Sequence, residues 1–545
     1  MKRNSAKKSP SKVLDVSMGE LLTVVERAKV GALNAEDHQK LAAAISTLEV
    51  LMEELKNKAT SILRLRQLLF GAGTEKTSYV LGRSEKSSGA AAAKKLDETK
   101  RPGHGRLGAS AYTGAEKVVV AHPLLHAGDR CPGCVRGKIY LLSEPATLVR
   151  ITGMAPLGAT VWECERWRCN LCGEVYTAKA PEGVGNQKYD ETATSMVGLL
   201  KYGCGLPFNR IEKLQQGMGI PLPAATQWEL VHEGANQLEP VFEELVRHAA
   251  QGEVLHNDDT TAKILGLAAE QREAASADSE SENRTGVFTT GIISRCGKDT
   301  VALFFTGVKH AGENLADVLS KRAQELSAPI QMCDALAVNT AGDFESILAN
   351  CNSHARRRFV EVVDNFPDEC CYVLETFRDV YKHDAEAKKE LLSPQERLAF
   401  HQTHSGPLIE RLKDWMRQQF DEHLVEPNSG LGEAIGYMQK HWAKLTLFSQ
   451  QPGAPLDNNI CERALKKAIL HRKNSLFYKT ENGARVGDIF MSLIHTAELC
   501  NINPFDYLVA LLRRHDDVVQ NPAGWMPWNY QQTVAQPDGQ AVASG

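Results

Sequence analysis

Between residues 252 and 335 the hydrophobic pattern switches from a helical to a strand period, and this switch constrains the fold more than any other feature. "GEVLHN" (252–257), "GVFTTGIIS" (286–294) and "TVALFFTG" (300–307) are short runs rich in β-branched residues, as strands are. A helical pattern over about 311–326 follows, then a fourth short run, "APIQMC" (328–333). The first and last of these runs lead into acids, Asp258 with Asp259, and Asp334. Between the first two, "AAEQREAASADSESEN" (268–283) has no apolar period and reads as a surface loop. Helical periods flank the block over 190–250 and 354–450, and further helices are expected around Glu462 and over 483–500. The chain therefore reads as an α/β protein, and its 545 residues are enough for several domains.

The remaining segments divide by composition. Residues 1–33 read as a basic flexible arm and a short helix. Over 34–71, Leu41, Leu48, Leu55, Ile62 and Leu69 recur every seven residues, with Ile45, Met52 and Ala59 interleaved and Arg66 interrupting the seam. That pattern suits a self-associating coiled coil, or an amphipathic helix packed on its own protein. Residues 72–115 are a Gly-, Ala-, Ser- and Lys-rich linker. Residues 181–250 form a helical DNA-binding or connecting region, in which 206–231 reads as a helix-turn-helix or as two packing helices. Residues 516–545, rich in Pro, Gly and Gln, read as a disordered tail.

In residues 116–180, Cys131 with Cys134 and Cys169 with Cys172 form two Cys-x-x-Cys knuckles. Two residues between thiols let one tight turn aim both at one ion, and two such turns complete a tetrahedral zinc site. Four thiolates leave no open position, so the Zn²⁺ would be structural; chance or redox cysteines are the competing reading. No apolar run approaches the roughly 18 residues that span a bilayer, and the basic N-terminus lacks the apolar core of a secretory signal. A membrane partner is therefore not expected, and an intracellular setting is. A net charge of −4 means that nucleic-acid binding has to rest on local patches.

One such patch surrounds Glu462: Arg463, Lys466, Lys467, Arg472 and Lys473 crowd its helix and helix end. Each acid also has a plainer reading. Asp259 or Thr260 suits a turn, and Asp334 suits an N-cap. Glu462, three residues after Asn459, fits a capping box, and Lys466 stands at the spacing of an exposed ion pair. If Glu462 binds metal instead, Asp457 or Asn458 should cap the helix.

The order strand-acid, strand, strand, helix, strand-acid resembles the ribonuclease-H-like nucleotidyl-transferase fold, which needs a third carboxylate from a late helix. "DDT" (258–260), Asp334, "HARRRF" (354–359), "DNNICERAL" (457–465) and "RKNSLF" (472–477) together resemble the transposases of the insertion-sequence 66 family, of the DDE class. "RLRQLLFGAGTEK" (64–76), "INPFDYL" (502–508) and "PWNY" (527–530) extend the resemblance over nearly the whole chain. The chain departs from the family pattern at Cys461, where a small residue is usual, in lacking the aromatic often found before His354, and at Lys466 and Lys467, where Arg is frequent.

The resemblance implies a ribonuclease-H-like mixed sheet over 251–515 with a helical insertion at about 360–450. It implies Asp258, Asp334 and Glu462 as ligands of two Mg²⁺ ions, with Mn²⁺ as a substitute and Asp259 in second rank. It implies DNA cleavage and strand transfer, transposon-end and target DNA as partners, and a nucleoid-associated bacterial protein of the cytoplasm. Accessory proteins of the same element and self-association through the N-terminal helix are further expectations. Arg356 and Arg357 would join the basic patch on DNA, or form a solvated helix face. The competing functions are a zinc-containing DNA-binding protein with an inactive core, and a nuclease of the same fold.

Overall fold

The structure is a computed structural model of the full chain. It describes residues 187–267 and 286–535, save residue 343, with shorter stretches of 23–41 and 126–182. The chain divides into two compact units, residues 1–86 and 87–545. In the first, the described residues 23–28 are helical, and beyond Leu41 the heptad seam lies outside the described residues. So do the basic arm before residue 23, the linker 72–115 and all four knuckle cysteines. Two antiparallel pairings bracket those cysteines in sequence. Arg130 bridges Lys138 around the first pair, and β1 (Arg166–Arg168) pairs with β2 (Val175–Thr177) around the second.

Helices α1 (Glu191–Gly198), α2 (Phe208–Gly217) and α3 (Ala224–Ala250) lead to the sheet, with one π-helical turn, Leu199–Gly203, after α1. The buried Gln227 side chain closes the α2–α3 turn by donating to the carbonyls of Phe208 and Leu222 at 3.2 and 2.9 Å. Helix α3 buries Val231, Ala235, Leu238, Val241 and Leu245 against the sheet and its helices.

The sheet contains β3 (Val254–Thr261), β4 (Phe288–Cys296), β5 (Asp299–Gly307), β6 (Ile330–Cys333) and β7 (Ile347–Asn350). Its order is β5-β4-β3-β6-β7. The first three strands are antiparallel neighbours, whereas β3–β6 and β6–β7 are parallel. Between β5 and β6 runs α4 (Ala311–Leu319), shorter than its sequence pattern because the chain turns after Ser320. All four residues of β6 are buried, as a parallel strand covered on both faces requires. The strand β7 was not expected from sequence.

After β7 come α5 (Asn352–Val362), α6 (Pro367–Lys389), α7 (Pro394–His404), α8 (Gly406–Asp421) and α9 (Gly430–Leu445). The chain then returns to the sheet in α10 (Asn459–Ser475) and α11 (Glu481–Leu499). Helices α3 and α4 cover one face: Ser294 Oγ donates to the Ala249 carbonyl at 2.7 Å, and Asn314 Nδ2 to Thr290 Oγ1 at 2.8 Å. The other face of β3 and β4 receives α10.

The β5 edge of the sheet is closed by side chains. On β5, the N–H groups of Ala302, Phe304 and Thr306 donate to Thr496 Oγ1, Ser492 Oγ and Asp488 Oδ2 at 3.1, 2.9 and 2.7 Å. Four residues of helix rise about 6 Å and two residues of strand about 6.6 Å, so α11 runs in step with the strand. A strand edge left bare would be a template for association.

The C-terminal segment corrects one expectation. After α12 (Pro504–Arg513), residues 515–535 are ordered, with α13 (His515–Gln520), a 3₁₀ turn Pro522–Trp525 and α14 (Tyr530–Ala535). Val518, Trp525, Met526 and Tyr530 enter the main core, and Tyr507 Oη donates to the Trp525 carbonyl at 2.9 Å. The Pro- and Gln-rich composition hides four large apolar anchors. Residues 536–545 lie outside the described residues.

Candidate active site

Side chains of a strand alternate between faces, and β3 uses both. Asn257 and Asp259 face α4 and the turn after β6: Asn257 Nδ2 donates to the Asn339 carbonyl at 2.7 Å. Asp259 Oδ2 meets His310 Nδ1 at 3.1 Å and the Ala311 N–H at 3.3 Å. His256 and Asp258 face α10, where His256 Nδ1 lies 3.1 Å from Asn458 Oδ1. Asp258 does not end its strand, as sequence suggested. It lies where the parallel partner stops, because β3 continues to Thr261 beside β4 whereas its pairing with β6 ends at His256↔Met332. Extending that register by two residues sets Asp334 beside Asp258, so the two acids leave neighbouring strands side by side. Asp334 Oδ1 accepts from the Leu336 N–H at 3.0 Å and Asn339 Nδ2 at 2.5 Å, opening a 3₁₀ turn rather than an α-helix.

Helix α10 brings in Glu462, and each residue of the segment before it has a separate task. Asp457 takes the Asn459 N–H at 3.0 Å and the Asn459 side-chain amide at 2.8 Å. Asn458 Nδ2 donates to the Asn257 carbonyl at 3.1 Å, tying the helix start to β3. Asn459 Oδ1 accepts from Ser353 Oγ at 3.2 Å. The capping box does not form: Asp457 serves the Asn459 amide, and Glu462 Oε1 is buried without a hydrogen-bond partner.

Gly291 sits opposite Asp258 on β4 and sets how close α10 comes. A Cβ added there would lie 3.0 Å from Leu465 and 3.5 Å from Cys461 Sγ. The buried Cys461 donates its S–H to the Gly291 carbonyl at 3.2 Å. Cys461 departs from the family pattern, yet its small side chain still fits this close contact.

Burial pushes the Asp258 carboxyl up to about 7, against the N–H of Asp259, and the charges of Asp334, Asp259 and Glu462 raise it further. Three acids from β3, β6 and α10 therefore share one electrostatic environment. Their mutual repulsion, together with the unpartnered Glu462 oxygen, is what a bound divalent cation would relieve. The residues present fit a hard, oxygen-liganded ion.

The basic residues divide. Arg463, Lys466 and Lys473 are exposed. Lys467 Nζ is held by Glu498 of α11 at 2.7 Å, and Arg472 bonds to Thr260 and Thr261 at the end of β3. Arg356 and Arg357 lie half-buried on α5, and Arg358 stacks 4.0 Å over the Tyr437 ring. Sequence reasoning missed that Cys351 and His354 face Glu462, although a Cys-x-x-His spacing was there to be read.

With this geometry in view, the relatives are informative. Three proteins of Sinorhizobium fredii, each described only as uncharacterised, are similar to the chain. The first, y4hP, is 26% identical over 77% of this chain and 76% of its own length. The second, y4jD, is 23% identical over 91% of this chain and 98% of its own length. The third, y4qI, is 25% identical over 63% and 62% respectively. The family described as "Transposase IS66 family" matches residues 187–486, which is more than half of the chain and includes the whole sheet, all three acids and α10. The chain belongs to the IS66 family of transposases.

Proposed function

We propose that the chain is a DDE transposase that cleaves the ends of its insertion sequence and transfers them to target DNA. One observation carries the reading: Asp258 and Asp334 follow neighbouring strands where the pairing of β3 with β6 ends, and Asp258 feels the charge of Glu462 on α10. The strand order β5-β4-β3-β6-β7, with three antiparallel and three parallel members sharing β3, supports a ribonuclease-H-like core with α5–α9 as its insertion.

Asp258, Asp334 and Glu462 would hold the catalytic divalent cations, Mg²⁺ or Mn²⁺. When bound, the cations supply Lewis-acid activation of the attacking oxygen and charge stabilisation of the leaving one. Asp258, whose carboxyl feels the charge of both other acids, would share with them in holding the cations. Asp334 is pre-oriented by Asn339 and the Leu336 N–H, so little freedom is lost on binding. Asp259 orients α4 through His310 and stands behind the site. Arg463, Lys466 and Lys473 are exposed where a DNA backbone would pass, and the contacts would be salt-sensitive.

Cys131, Cys134, Cys169 and Cys172 would hold a structural Zn²⁺, and the antiparallel pairings that bracket both knuckles support this. Residues 34–71 would join two copies. No helix among the described residues is long and apolar enough to cross a membrane.

The test is Mg²⁺-dependent cleavage and strand transfer on the element's own ends. Asp258→Asn, Asp334→Asn and Glu462→Gln should each lower the rate at least about 100-fold, the loss of several kcal/mol of charge stabilisation. Activity unchanged in Asp334→Asn and Glu462→Gln would sink the assignment. Nicked DNA without joined product would indicate a nuclease.

A further inference from the structure

Glu462 has a second set of neighbours that the proposed chemistry does not use. The side chains of Cys351, His354 and Glu462 each present a ligand atom, and all three atoms lie within 4.8 Å of one another. Cys351 precedes α5 and His354 stands on its first turn, so both reach the same side of the helix start. His354 Nδ1 lies 3.8 Å from Glu462 Oε1, too far for a hydrogen bond, and both atoms are buried without a hydrogen-bond partner. Leaving two such buried polar atoms unsatisfied is unfavourable.

An ion between them would remove that cost. Tetrahedral zinc with bonds of about 2.0–2.3 Å sets its ligand atoms roughly 3.3–3.6 Å apart, a small adjustment from this arrangement. Cys351 is fully buried, whereas the side chains of His354 and Glu462 are 28% and 27% exposed, so an ion could enter from their side. The donors differ in kind from the Asp258–Asp334 pair. Magnesium takes oxygen ligands, whereas thiolate and imidazole select zinc and related ions.

We propose that Cys351, His354 and Glu462 form a zinc site, with its fourth position open to water, which competes with the magnesium set for Glu462. Zinc there withdraws the third carboxylate and switches the enzyme off. On binding, the Cys351 thiol gives its proton to solvent and the thiolate takes the metal. This rests on the reading of Glu462 as the third magnesium ligand.

The experiment titrates the full-length protein, purified with zinc in its knuckles, with Co²⁺, following the near-ultraviolet thiolate-to-cobalt absorption. Wild type should gain a one-thiolate band. Cys351→Ser and His354→Gln should lose it or weaken binding by at least about 10-fold, as even residues behind a ligand do. His354→Gln, at a half-exposed position, keeps the test valid if Cys351→Ser misfolds. Zn²⁺ added to the Mg²⁺-dependent reaction should inhibit wild type at concentrations at least about 10-fold lower than either variant.

Equal cobalt spectra in wild type and both variants, or equal zinc inhibition, would overturn the proposal. The spectra require no DNA chemistry. Full cleavage by Glu462→Gln would therefore end the catalytic reading while the cobalt result still decided the site.

Discussion

At the residue scale, Gly291 and Cys461 matter as much as the acids. They face each other across the β4–α10 contact opposite Asp258, and their smallness lets Glu462 reach the site. Gly291→Val should cost about 1–3 kcal/mol of stability through overpacking against Leu465. It should also lower Mg²⁺-dependent cleavage without removing a single carboxylate. Unchanged melting temperature and unchanged turnover would show that α10 has room to spare. Neither residue announces this role in the sequence, because a glycine in a strand and a cysteine in a helix have many uses. Asp258 and Asp334 were legible as candidates from their positions after strand-like runs, and Glu462 from the family resemblance and the cations around it. That Asp258 faces α10 while Asp259 faces α4 follows from strand alternation and from which helix lies on which face.

At the scale of elements, two buried carboxylates anchor helices and respond to pH in opposite directions. Asp488, on α11, accepts from the Thr306 N–H and hydroxyl, both at 2.7 Å. Burial pushes its carboxyl up to about 8 against those two bonds. The folded state therefore keeps a proton that the unfolded state, titrating near 4, has lost. Its contribution to stability is full below about pH 4 and declines as pH rises towards 8. Wild type should accordingly lose melting temperature between about pH 6 and pH 8 relative to Asp488→Asn, and a constant difference over that range would refute the protonated form.

Asp384, on α6, is buried between Lys388 at 2.7 Å, Arg397 at 2.5 Å and His401 at 3.4 Å. Burial alone would raise its carboxyl, but the His401 hydrogen bond, the Arg397 charge and Lys388 outweigh it and hold it well below the usual range. Its contribution is present above about pH 4 and is lost as pH falls below that. Asp384→Ala should cost about 3–5 kcal/mol, because Arg397 and His401 lose their buried partner. Chemical denaturation at pH 7 would measure it, and a loss under about 1 kcal/mol would show an expendable network.

At the scale of the molecule, the last described turn is part of the fold. Truncation after residue 514 removes Val518, Trp525, Met526 and Tyr530 from the main core. Each such side chain is worth about 1.5–3 kcal/mol on burial, so the shortened protein should melt far lower or precipitate. Its melting at the full-length temperature would mean that the segment only rests on the surface. The disordered reading of this stretch came from its average composition, but packing responds to a few well-placed aromatic rings. The short β7 was missed for a related reason. Four residues of strand carry too little period to be seen without the neighbour they pair with.

The sequence by itself determined the order of elements from β3 to α4 and β6, the helical stretch after β7, the two Cys-x-x-Cys pairs and the candidacy of Asp258 and Asp334. Those are properties of local period and spacing, which a chain carries before it folds. Tertiary structure decided which face of β3 each acid serves, how near α10 comes over Gly291, which cations are tied to Glu498 or to β3, and that Cys351 and His354 stand beside Glu462. These depend on contacts between residues as much as about 200 positions apart, such as Asn458 with Asn257, and no local pattern encodes them.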